Sequence, residues 1–244
     1  MTEVPAHLRL ADRLIPSLVE RGAEAIAVVG SAATGGANDS SDLDLAIIGD
    51  GPHYRLEVHD DVLVSLGWAP PEVQVRRLYE PDYLGTHVPG WRNAVVIHDP
   101  RGLATATKER ALRWRWQQVA DRCDEWTVET VTGLAEEAQK LSASLACGAS
   151  LTAAVQRSIL VLRLARPLAL HRRILYASEN RLWDLLADEL GDDWRTAQSA
   201  AFGLGDESFE SSCNAALRLF ALAVAEIDPL LDERSRAVVG HVIV

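Results

Sequence analysis

Asp42 and Asp44 stand two residues apart at the start of one apolar run, and Gly30-Ser31 ends another about a dozen residues earlier. Side chains at i and i+2 of a strand share a face, so the two carboxylates converge while Leu43 and Leu45 point the other way. A pair of hard oxygen ligands suits Mg²⁺, which takes few carboxylates and leaves room for substrate phosphates. Gly30-Ser31 at a strand end lets a phosphate come close to the backbone, with amide N–H groups and a hydroxyl as donors. Together these residue types imply metal-assisted phosphoryl or nucleotidyl transfer. Ser41-Asp42-Leu43-Asp44 taken alone also suits a strand start, where short polar side chains satisfy local backbone groups. The succession of strand, Gly-Ser, small-residue loop and Asp-x-Asp strand is far more specific.

The elements that must hold these residues follow from hydrophobic spacing. A helix over about 6–21 has Leu8, Leu10, Leu14, Ile15 and Leu18 near helical periodicity, and short β-rich runs cover 25–30, 43–48, 54–59, 62–68 and 94–98. Near residue 104 the pattern changes to Arg, Ala, Leu and Glu, and the segments lengthen into helices at about 103–120, 126–147, 151–175, 179–191 and 206–229. The 151–175 segment is apolar nearly all round and contains Pro167, which predicts a kinked, buried helix at the centre of a bundle. The expected fold is α/β: a small mixed-sheet domain over 1–103, followed by an α-helical bundle over 104–244.

Composition narrows the function. The chain has 244 residues, 48% of them apolar, enough for two modest domains or one larger one. Its net charge of −11 argues against a nucleic-acid partner, which needs a basic surface, and favours a cationic small molecule or simply solubility. Cys123, Cys147 and Cys213 lie far apart without metal-ligand spacing, as reduced thiols do. No apolar stretch is long enough for a membrane, and Thr2, Glu3, Pro5, Asp12 and Arg13 do not form a signal-peptide pattern, so a cytoplasmic location is expected. The seven histidines show no zinc-site spacing. Oligomeric state is left open.

The arrangement of Gly30-Ser31 and Asp42-Leu43-Asp44 resembles the signature of the nucleotidyltransferase superfamily, and the domain order resembles that of kanamycin and minimal nucleotidyltransferases. Leu170-His171-Arg172-Arg173-Ile174-Leu175-Tyr176 is similar to a segment of the kanamycin enzyme's bundle, and Glu136-Glu137-Ala138-Gln139-Lys140 to its Glu-x-x-x-Lys helix. The resemblance implies that Asp42 and Asp44 hold Mg²⁺ and that Gly30 and Ser31 grip a nucleoside triphosphate. It further implies that Glu136 is the general base and that Lys140 stabilises phosphate charge. On the apolar stripe of Val128, Val131, Leu134, Ala138, Leu141 and Leu145, Glu136 falls nearly opposite and Glu137 at the border. Such a helix presents Glu136 and Lys140 either to a cleft or to water, where Glu-x-x-x-Lys is an ordinary surface pair.

The family carries a third carboxylate on an adjacent strand, and the matching position here is Ser65. If Asp60-Asp61 form a two-residue hairpin turn, Leu56 faces Ser65, and Glu57 faces Val64 on the other side of the sheet. Glu57 reaches the site only if the register slips by one. Three functions fit. The leading one is transfer of a nucleoside monophosphate from Mg-NTP to a hydroxyl of a small, cationic acceptor such as an aminoglycoside. The others are a nucleotide-binding relative that has lost its chemistry, and a toxin–antitoxin-type enzyme acting on a protein.

Overall fold

A computed structural model describes residues 5–38 and 40–242; Thr2 and Glu3 lie outside the described residues. The chain forms two compact units, Met1–Gln118 and Val119–Val244. The division falls after the helix that follows residue 103, which belongs with the sheet.

The first unit is built on a five-stranded sheet: β1 (Ala23–Val29), β2 (Leu43–Gly49), β3 (Tyr54–His59), β4 (Val62–Ala69) and β5 (Val95–His98), in the order β3-β4-β2-β1-β5. The β2–β4 pair is parallel and the others antiparallel, so the sheet is mixed as expected. Helix α1 (Ala6–Glu20) lays Leu10, Leu14 and Leu18 on the face formed by Ile26, Val28, Leu43, Leu45, Ile47, Val64, Leu66 and Trp68. The opposite face carries smaller residues: Ala25, Ala27, Ala46 and Gly67.

Three further helices of this unit were not foreseen as such: α2 (Gly30–Thr34), α3 (Pro71–Arg77) and α4 (Pro81–Asn93). Pro71 and Pro81 each sit in the first turn, where proline costs no hydrogen bond. Gln74 ties them together: its Nε2 donates to the Ile47 carbonyl at 3.5 Å, Trp91 Nε1 donates to its Oε1 at 3.4 Å, and the His87 Nε2 lies 2.9 Å from its carbonyl. The helix expected over 103–120 is shorter, α5 (Leu103–Arg113), because the chain turns extended at Trp114. That break brings the rings of Trp114 and Trp116 edge to face, 4.8 Å apart. Continuous helix would have set them on different faces.

The second unit is helical: α6 (Ala120–Gly133), α7 (Ala135–Ala146), α8 (Ser150–His171), α9 (Glu179–Leu190), α10 (Asp192–Phe202), α11 (Phe209–Ile227) and α12 (Glu233–Gly240). The single helix expected over 126–147 is two, joined at Leu134 directly after Gly133. α8 contains Pro167 and is the bundle's centre, packed against α6, α7, α9, α10 and α11. The Thr127 hydroxyl lies 2.9 Å from the Pro167 carbonyl and also donates to Cys123 at 2.7 Å. Among the described residues no helix is long and apolar enough to cross a membrane.

Candidate active site

β1 ends beside the acid strand. Val29 pairs with Asp44, so Gly30, the next residue, opens α2 against the Asp44 side chain. Gly30 has φ +67°, and a Cβ there would collide with the Asp44 carboxylate. The glycine is therefore required twice, for its backbone angle and for the space the carboxylate fills. Ser31 follows, half-buried, with its carbonyl accepting from Gly36 N–H at 3.0 Å and the Thr34 hydroxyl at 3.1 Å.

Asp42 is exposed just before β2 and Asp44 is half-buried within it. Burial first, and the Asp42 charge second, push the Asp44 carboxyl above its ordinary value of 3.8; a hydrogen bond from Ser65 opposes both. The two acids thus feel one another, and a cation would relieve the repulsion.

Ser65 sits directly across from Asp44 in the parallel β2–β4 pairing, where the family's third acid is expected. The hairpin register is the one drawn from sequence: Leu56 opposite Ser65, Glu57 opposite Val64, Val58 opposite Leu63 and His59 opposite Val62. Asp60 and Asp61 make the turn with φ +51° and +63°, the paired left-handed conformation of a two-residue hairpin. Glu57 lies on the α1 face, 2.9 Å from Arg21 Nη2 and 3.0 Å from His59 Nε2. Burial opposes ionisation there, but these partners outweigh it and hold the carboxyl below its ordinary value. Among the described residues no group of three or more His, Cys, Asp or Glu can hold a metal. The acid pair fits Mg²⁺ in the mode that uses one or two carboxylates and completes its shell from substrate phosphates.

Tyr54 is a neighbour of Ser65 that alternation along one strand does not reveal. Its Oη is 3.3 Å from Ser65 Oγ. The signal was available: Tyr54 pairs with Gly67 and so faces the same side as Ser65.

Glu136 and Lys140 belong to the second unit, on α7. They form an i,i+4 ion pair of 2.5 Å with side chains 67% and 49% exposed. The hydrogen bond and charge of Lys140 hold the Glu136 carboxyl below its ordinary value. Glu137, the competing glutamate, is half-buried and 4.0 Å from Arg163. The Leu170–Tyr176 segment does structural work: the His171 ring nitrogens lie 3.2 Å from Asp124 of α6 and 3.5 Å from Glu226 of α11, Arg172 donates to Glu226 at 2.7 Å and Arg173 to Asp124 at 2.5 Å. A groove of about 690 Å³ runs along α6 and α12, lined by Asp121, Asp124, Glu125, Glu129 and Asp232 with one cation, Arg234.

Residues 11–140 match the nucleotidyltransferase domain family. No curated protein matches the chain. Among solved structures, a nucleotidyltransferase-like protein from Exiguobacterium sibiricum 255-15 aligns over 98% of this chain and 78% of its own, with 15% identity and a TM-score of 0.53. At that identity the likeness is one of fold. The family match takes in both acids, the Gly-Ser turn and more than half of the residues, and the chain belongs to the nucleotidyltransferase domain family.

Proposed function

We propose that the protein transfers a nucleoside monophosphate from Mg²⁺-bound nucleoside triphosphate to a hydroxyl of a small, cationic acceptor of the aminoglycoside type. The observation that carries the reading is the Gly30–Asp44 juxtaposition beside Asp42. It supports the reading because a glycine turn with no side chain of its own stands against the Asp44 carboxylate, which burial and Asp42 keep above its ordinary pKa. Asp42 and Asp44 would hold Mg²⁺, which would neutralise charge on the triphosphate. The Gly30 and Ser31 N–H groups and the Ser31 hydroxyl donate to phosphate oxygens. On the family resemblance, Glu136 takes the acceptor's proton and Lys140 lies on phosphate charge. The net charge of −11 and the carboxylate-lined groove of the second unit support a cationic acceptor.

Pyrophosphate release from each NTP, with Mg²⁺ and across a panel of aminoglycosides and uncharged alcohols, tests the reading. Acceptor-dependent release that is lost in Asp42→Asn and Asp44→Asn is the expected result. Calorimetry showing unchanged Mg²⁺-dependent nucleotide affinity in both variants would overturn the site. A second reading, nucleotide binding with little turnover, is favoured by Ser65 standing where a third carboxylate is expected.

A further inference from the structure

We propose that Tyr54 is an internal acceptor: the protein transfers a nucleoside monophosphate onto its own Tyr54 phenol. The proposal rests on the nucleotidyl-transfer reading of the Asp42–Asp44 site and assigns that site a second substrate.

Three observations carry it. The Ser65 hydroxyl donates to Tyr54 Oη at 3.3 Å, and Ser65 is the cross-strand neighbour of Asp44. A nucleophilic hydroxyl thus stands one side chain away from the acid pair. The phenol is also free to move. Tyr54 is 56% exposed, and its cross-strand partner is Gly67, which puts no side chain beneath the ring. Rotation about χ1 moves Oη through solvent without displacing a buried side chain.

The third observation is the strand order. Gly30 follows β1, Asp44 is on β2, Ser65 on β4 and Tyr54 on β3, and these strands lie side by side in that sequence. The phosphate-gripping turn is therefore at one side of the acid pair and the phenol at the other. Displacement at phosphorus needs this order, with the attacking oxygen and the departing pyrophosphate roughly in line on opposite sides.

In the step, Tyr54 Oη bonds to the α-phosphorus of the bound triphosphate and the bond from that phosphorus to the α–β bridging oxygen breaks. Pyrophosphate leaves with the electron pair, and the phenolic proton passes to the solvent that reaches this exposed side chain. The products are a tyrosyl nucleotide phosphodiester and pyrophosphate, with no change of oxidation state.

The test uses the full chain with Mg²⁺ and each of the four NTPs, labelled at the α-phosphate, followed by intact-mass and peptide mass spectrometry. The expected result is an increment of one nucleoside monophosphate per chain on the peptide carrying Tyr54, formed at a rate independent of protein concentration. Tyr54→Phe should lose the increment, and calorimetry should find its Mg-NTP binding retained. Equal labelling of Tyr54→Phe, a rate that rises with protein concentration, or no label in wild-type protein that binds Mg-NTP would each overturn the proposal. Failure of the underlying reading has a different signature: wild-type protein that binds no NTP in the presence of Mg²⁺, which overturns both.

Discussion

Asp44 is held at a cost that a cation would remove. Its folded-state pKa is raised by burial and by Asp42, so the folded state keeps the proton more tightly than the unfolded chain does. Stability therefore falls as pH rises from the ordinary carboxylate value through the raised one. In metal-free buffer at neutral pH, Asp44→Asn should melt above wild type, with the gap closing as pH drops below the ordinary value. Thermal melts with chelator across that range check this, and an Asn variant that melts lower at neutral pH would show the Ser65 hydrogen bond to be dominant. Gly30 gives the complementary case. Gly30→Val would force a Cβ into the Asp44 carboxylate at a left-handed φ, whereas a Cβ at Gly36 meets Thr34 Oγ1 only at 3.7 Å. Nucleotide affinity should fall in Gly30→Val and hold in Gly36→Val. Equal binding in the two variants would make Gly30 a plain strand-end turn.

At the level of elements, the β3–β4 hairpin decides what Ser65 can be. With its register fixed by the Asp60-Asp61 turn, Ser65→Asp should place a carboxylate beside Asp44. The variant is expected to melt below wild type without metal, to recover with Mg²⁺, and to speed Mg²⁺-dependent transfer. No change in either melting or turnover would leave the hairpin face outside the site. α5 has its own electrostatic anchor. Asp99 accepts from the Ala104 and Thr105 N–H groups at 3.1 and 2.8 Å and from the Thr105 hydroxyl at 2.7 Å. Burial works against the charge, but these bonds outweigh it and hold the carboxyl below its ordinary value. Its stabilisation is present above that value and is lost as pH falls through the folded one. Asp99→Ala should cost about 1 kcal/mol at neutral pH, as loss of a helix-start acceptor does. Chemical denaturation at pH 7 and pH 3 should show the difference shrinking.

These elements also mark what sequence could yield. The acid pair, the Gly-Ser turn and the hairpin register were legible because each is set within a few residues, by alternation and by turn length. α3 and α4 were not, since their signal is a proline that reads equally as a stop or a start. The α6–α7 break was hidden because the apolar stripe runs through Gly133-Leu134 without interruption. The Tyr54–Ser65 contact was hidden for a different reason: it depends on Gly67 and Ser65 on the neighbouring strand, and a single strand read alone shows only an alternating pattern.

For the molecule as a whole, the family match crosses the boundary between the two units, ending at residue 140 on α7. Glu136 and Lys140 lie at the end of that span. If Glu136 is the base, Glu136→Gln should slow turnover by about 10²- to 10⁴-fold, the worth of a positioned base, with nucleotide affinity almost unchanged. Loss of activity from Glu137→Gln instead would reassign the role to the half-buried glutamate. As it stands, the ion pair holds Glu136 in the acidic direction, away from a base's needs.

Lys108 and Lys140 are the chain's two lysines. Lys108 is half-buried, and its Nζ donates to the Ala94 carbonyl at 2.6 Å. An amine-directed acylating reagent therefore finds one open lysine side chain. Only the neutral amine reacts, and the hydrogen bond with Glu136 raises the Lys140 pKa, so the reactive form is scarce while the pair is closed. Acylation of Lys140 becomes a clock for how often that pair opens, read from an unmodified, wild-type chain. Glu136→Gln sets its fast limit.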